Sequence, residues 1–140
     1  MSTSYHQLYV QFVWTTFNRT PLLSRPHRLV LGAYLHARAL ALDSNLLAFG
    51  GVEDHVHALV RLHSSVDVAR MARELKAPSS GYIRRRFRWP HFSWQDGYGA
   101  FTVRRDDVEA VTHYLRNQEQ HHRTGELIAE FETSAPHEPD

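Results

Sequence analysis

The chain contains no cysteine, so it has neither a disulfide framework nor a thiolate to react with. No uninterrupted apolar run approaches the length of a membrane span. The first residues, Met1 to His6, lack the basic-then-apolar layout of a secretory signal. Together these absences favour a cytoplasmic protein with no membrane partner. Lysine is scarce too, since 15 of the 16 basic residues are arginine and only Lys76 is lysine. Arginine forks match phosphate geometry, although a GC-rich gene would produce the same bias.

What is present describes an ordinary globular chain. With 140 residues, 42% hydrophobic and 22% charged, it has the length and composition of one domain with its own core. The net charge of +1 conceals an asymmetry. Glu126, Glu130, Glu132, Glu138 and Asp140 are acidic in a stretch with no Lys or Arg. Without them, residues 1–125 sum to +6. We therefore expect one domain over 1–131 and a frayed acidic tail over 132–140. The 11 histidines are many, but most need be no more than surface or structural groups.

Hydrophobic periodicity sets the elements. Residues 5–14 alternate, with Leu8, Val10, Phe12 and Trp14 on one face and Tyr9 and Gln11 on the other, as in a half-buried strand. Ser24 and Pro26 start a helix in which Leu29, Val30, Ala33, Ala37, Leu40 and Ala41 recur at helical spacing through Leu42. Residues 46–52 form a short apolar strand, and Glu53-Asp54 a turn. Residues 55–62 alternate again, with Val56, Ala58, Val60 and Leu62 toward the core and His55, His57, Leu59 and Arg61 away from it. Ser65 caps a second helix over about 66–77, which Pro78 should end or kink. Residues 98–103 are a last strand. Asp106 or Asp107 caps a third helix with Val108, Val111 and Leu115 buried. The order predicts an α+β fold: a ferredoxin-like βαββαβ antiparallel sheet, helices on one face, plus a C-terminal helix carrying Tyr114. That last helix is the natural cover for the other face.

Several groups carry chemistry. His55 and His57 point to one side of their strand, where both rings reach one ion with little strain. Tyr114 and Gln118 are four apart, so they share a helix face. A tyrosine at a core edge is the ordinary alternative. Gln118 is a candidate amide ligand, His121 is its rival, and His121-His122 would otherwise be an exposed pair. Arg84, Arg85, Arg86, Arg88 and Trp89, with Lys76 before and Trp94 after, mix charge and rings as a nucleic-acid strand requires. Arg104-Arg105 would extend that patch. A solvated basic helix end is the plainer account.

Taken in order, these blocks resemble the single-strand tyrosine transposases of the HUH type, the insertion-sequence-200-like family. The resembling segments run from Tyr5 to Thr16 and through Asp54-His55-Val56-His57, Leu75-Lys76, Trp94 to Phe101, and Tyr114-Leu115-Arg116-Asn117-Gln118 with His121-His122, covering about residues 5–131. The resemblance implies His55 and His57 as metal ligands, Gln118 as the third, and Tyr114 as nucleophile. It implies Mg²⁺ or Mn²⁺, no nucleotide cofactor, and single-stranded DNA with hairpins as substrate. It also implies a homodimer in which the tyrosine helix often acts in trans.

The resulting expectation is a transposase that cuts and rejoins single-stranded DNA through a 5′-phosphotyrosine. One rival is a domesticated relative acting on repetitive extragenic hairpins. Another is a non-catalytic single-strand-binding module that stacks bases on Tyr9 and Tyr98. A third is a zinc hydrolase using His55, His57 and His121.

Overall fold

Val10, Phe12 and Trp14 alternate with Gln11 and Val13 to form β1 (Tyr9–Thr15), which from Val10 onward is buried on both sides. The computed structural model describes residues 4–118, so the expected tail at 132–140, the boundary at 131 and His121 lie outside the described residues. The elements follow in the order β1, α1 (Arg25–Ala41), β2 (Asn45–Gly51), β3 (His55–Arg61), α2 (Val68–Phe87), β4 (Gly99–Val103) and α3 (Val108–Arg116). The sheet order is β2-β3-β1-β4, and every neighbouring pair is antiparallel. This is the ferredoxin-like arrangement with a further helix. Among the described residues, no helix is long and apolar enough to cross a membrane.

The sheet separates two apolar layers. Phe12, Trp14, Val56, Ala58 and Val60 join Leu31 and Leu35 of α1 and Met71, Leu75 and Ile83 of α2 in the larger one. Ala48 and Leu59 join Val111, Tyr114 and Leu115 of α3 in the smaller one. The alternation in β1 and β3 therefore sorts residues between two packed layers rather than between core and water.

Three expectations are corrected. Leu8 precedes β1 and is 43% exposed, so it does not join the core. In α1 the buried stripe is Arg28, Leu31, Gly32, Leu35 and Ala39. The expected stripe faces outward, with Leu29 67% and Leu40 49% exposed. This alanine-rich helix carries apolar residues on two faces, and the fit to the sheet selects one of them. Gly32 decides it: a Cβ there would come within 2.9 Å of the Phe49 ring.

The third correction is α2. Its cap is Asp67, whose carboxylate accepts from the Arg70 amide at 2.7 Å, not Ser65. The helix runs through Pro78 for two further turns. Proline removes one amide donor and crowds the preceding turn, a cost of about 3 kcal/mol. Packing on both sides outweighs it. Ser79, next to the proline, is fully buried and accepts from the Trp94 indole at 2.9 Å, while its hydroxyl donates to the Lys76 carbonyl. Arg38 of α1 pairs with Glu74 of α2 one turn earlier.

Candidate active site

β3 presents His55 and His57 to the layer beneath α3, where they are 3% and 0% exposed. Their ring centroids are 5.2 Å apart. Each ring is held from behind. His55 Nδ1 lies 2.8 Å from the Asp54 carboxylate, and His57 Nδ1 lies 3.2 Å from Gln11 Oε1, diagonally across the β1–β3 ladder. Both partners are acceptors, so each ring donates a proton from Nδ1. This is the anchoring that a metal-binding imidazole needs.

Asp54 is itself set by its surroundings. Burial alone would raise its carboxyl, but the hydrogen bond and charge of His55, with Arg19 beside it, outweigh burial and hold it below its ordinary value. Arg19 Nε donates to the second carboxylate oxygen at 3.2 Å.

α3 lies across β2 and β3 and brings Tyr114 into the same layer, 3% exposed and packed with Ala48, Leu59, Val111 and Leu115. Gly50 permits that approach. It pairs with His57, and a Cβ built on it would overlap the Leu115 carbonyl. α3 ends at Arg116, and Asn117 caps it by donating to the carbonyls of His113 and Tyr114. Gln118 follows two residues past the helix end and is 1% exposed. His55 and His57 thus lie buried on the face of β3 that α3 covers, Tyr114 is buried in the apolar cluster of that face, and Gln118 is buried just past the end of α3. Among the described residues, no group of three His, Cys, Asp or Glu is arranged to hold a metal.

The expected DNA-binding residues lie in the other layer, on or after α2. Lys76 Nζ donates to the carbonyls of Gln95 at 2.9 Å and Gly97 at 2.6 Å. Burial pushes its ammonium below the ordinary value, with Asp96 opposing. Arg84, Arg85 and Arg86 form the last turn of α2, where cations complement the helix dipole. Arg84 donates to the Phe92 carbonyl at 3.0 Å, and the Arg86 guanidinium sits 5.8 Å from the centre of the Phe87 ring. Arg88 caps α2 in the left-handed conformation at φ 58. Trp89 packs its ring 4.5 Å from His27 and 5.1 Å from Phe87. Trp94 is buried edge-on to Trp14 at 5.8 Å. The two tryptophans are therefore part of the packing, while Arg85, Arg86 and Arg88 remain exposed.

Sequence reasoning missed Gln11, Gly50 and the anchoring role of Asp54. A lone amide on a strand otherwise apolar from Tyr9 to Trp14 was the available sign for Gln11. The carboxylate directly before His-x-His was the sign for Asp54. Tyr9 and Tyr98 fall on opposite faces, Tyr9 beneath α3 and Tyr98 at 6.2 Å from Phe12. They cannot form one stacking platform, which removes that support for the binding-module reading.

Fold and site together define an α+β domain whose sheet holds an anchored imidazole pair against a tyrosine-bearing helix. A sequence model of the IS200-like transposases matches residues 4–118, and the chain belongs to that family of DNA-processing enzymes. Two solved structures share the fold. A provisionally assigned transposase from Deinococcus radiodurans R1 superposes with TM-score 0.67 at 22% identity, over 84% of this chain and 98% of that one. A REP-associated tyrosine transposase bound to a REP hairpin superposes with TM-score 0.63 at 15% identity, over 98% of this chain and 82% of that one. Comparison with curated protein sequences gives no match.

Proposed function

We propose that the protein cuts and rejoins single-stranded DNA by transesterification, with Tyr114 as nucleophile, and that it recognises hairpins at the ends of the segment it moves. One observation supports the reading: His55 and His57, anchored through Nδ1, and Tyr114 are buried on the sheet face that α3 covers, with Gln118 buried just past the end of that helix. The donor set fits a divalent ion. Neutral imidazoles are common metal ligands, and the neutral amide oxygen suits Mg²⁺ or Mn²⁺. His55, His57 and Gln118 would hold Mg²⁺ or Mn²⁺, which would supply charge neutralisation at the scissile phosphate.

The chain's own residues do the rest. Asp54 and Gln11 keep the imidazoles in one tautomer and orientation. The Tyr114 oxygen attacks phosphorus in line, and the bond from phosphorus to the 3′ oxygen breaks. The leaving oxygen takes a proton and becomes a 3′-hydroxyl. The phenol loses its proton as the bond forms, so the proton lost there and the one gained by the 3′ oxygen balance. The product is a 5′-phosphotyrosine, which keeps the phosphoester energy. A 3′-hydroxyl from another strand then attacks it, releases the tyrosine and seals the new joint without ATP. α3 shields the linkage from water.

The solved REP-associated transposase is bound to a hairpin, which supports hairpin DNA as the partner. It also favours a second form of the same chemistry, in a domesticated relative acting on scattered extragenic hairpins. Adducts on a repetitive extragenic hairpin, but none on the gene's own flanks, would decide for that form. The resemblance carries a homodimer into the same reading.

The test is a denaturing gel of protein mixed with labelled single-stranded DNA from the gene's flanks, with and without Mg²⁺. Wild type should form a covalent adduct only with the metal. Tyr114→Phe should lose the adduct and keep DNA binding, and His57→Ala should lose cleavage. An undiminished adduct in either variant removes that residue from its role.

A further inference from the structure

Next to the imidazole layer, a cleft of about 420 Å³ opens between the first turn of α1, the end of β2 and the end of α3. Arg25 and Arg28 of α1 and Arg116 of α3 line it, together with Leu29, Phe49 and Gln118. Among its described lining residues there is no carboxylate. Arg25 and Arg116 are exposed, and neither has an ion-pair partner among the described residues. Arg28 is 7% exposed and donates to the Leu23 carbonyl at 2.6 Å, which fixes its guanidinium in the wall. Arg25 and Arg116 bring two like charges to the place where the positive pole of a 17-residue helix adds to them. An anion between them relieves the repulsion.

The cleft's other half is apolar. Leu29 is the most exposed leucine of the buried-layer helices, and Phe49 is half-buried beside it. An anionic group flanked by an apolar surface, in a space of small-ligand size, suits a nucleotide unit of a strand better than a free ion. Gln118, the proposed third ligand, lines the cleft and is buried, which links the cleft with the proposed site.

We propose that this cleft grips a phosphodiester of the single strand next to the scissile one, with Arg25 and Arg116 on the phosphate and Leu29 and Phe49 against the adjoining sugar or base. The inference rests on the reading of Tyr114 and Gln118 as site residues. It assigns the strand's approach to the α1 side of the sheet edge, separate from the basic end of α2.

Fluorescence anisotropy with a labelled single-stranded oligonucleotide tests it. Arg28 stays intact because it is built into the wall. In R25Q/R116Q we expect the Kd to rise about tenfold at low salt. The slope of log K against log salt should fall by about 0.7, the loss of one single-strand phosphate contact. A methylphosphonate placed singly along the strand should weaken wild type at one position and leave the double variant unaffected there. A folded double variant with unchanged Kd and salt slope overturns the proposal. So does a methylphosphonate effect equal in both proteins at every position. Displacement by millimolar inorganic phosphate from wild type alone, without any methylphosphonate effect, assigns the cleft to free phosphate and overturns the strand assignment. Adduct formation separates this from the proposed function: an arginine effect without any Tyr114 adduct sinks the nuclease reading alone, and an adduct indifferent to both arginines sinks the cleft alone.

Discussion

Gln11 is the residue whose role the fold reveals most sharply. It is a buried amide on a central strand, 1% exposed, with its oxygen on His57 Nδ1. A partner of this kind fixes the imidazole's proton and orientation, and losing one costs about 10–100-fold in metal affinity. Gln11→Leu keeps the volume and removes the acceptor. We expect Mn²⁺ affinity, followed by titration calorimetry, to fall within that range. Stability should drop by about 1–3 kcal/mol, because His57 Nδ1 is left unsatisfied in a buried layer. Wild-type Mn²⁺ affinity in this variant would show that Gln11 serves packing only. Asp54 performs the same service for His55 but is tied to Arg19 as well, so its substitution reads two interactions at once. Lys76 shows the converse: its charge suggested DNA, and the fold spends two of its three donor protons on the carbonyls of Gln95 and Gly97.

At the scale of elements, α3 owes its place to the absence of a side chain at Gly50. The Leu115 carbonyl occupies the space a Cβ would need, and on the ladder Gly50 sits beside His57. Gly50→Ala must therefore lift α3 or bend β2. Overpacking of this type costs about 1–3 kcal/mol. The strain falls on the seating of the helix that carries Tyr114, so adduct formation should fall by more than tenfold while oligonucleotide binding changes little. Denaturant midpoints and the gel assay read the two effects separately. An adduct formed at the wild-type rate would mean that the close seating of α3 is not needed for chemistry. α2 teaches a related lesson. Read locally, Pro78 ends the helix, yet the contacts of Ser79, Ile83 and Arg38–Glu74 carry it on to Phe87. That extension turns Arg84 to Arg86 into a helix end and leaves Trp89 and Trp94 to fill space against His27, Phe92 and Trp14.

For the whole molecule, a sheet packed on both sides puts the larger apolar layer on one face and the proposed chemistry on the other. In this chain α3 covers its own β2 and β3. That favours tyrosine and imidazoles of one subunit acting together in the proposed homodimer. Mixing Tyr114→Phe with His57→Ala subunits tests the point. Action in cis leaves every site incomplete, so no adduct should form. Restored adduct would mean that the tyrosine helix crosses between subunits. The sequence by itself determined the order of elements and the sorting of β1 and β3 into two faces, because a period of two is a local property of the extended chain. It also determined that His55 and His57 share a side, and resemblance supplied the partners expected of them. Only the tertiary structure decided which apolar face of α1 is buried, that α2 outlasts its proline, and that Gln11, Asp54 and Gly50 support the site. Those outcomes depend on contacts between segments far apart in the chain, where packing free energy exceeds the local preferences that a reading of neighbours can weigh.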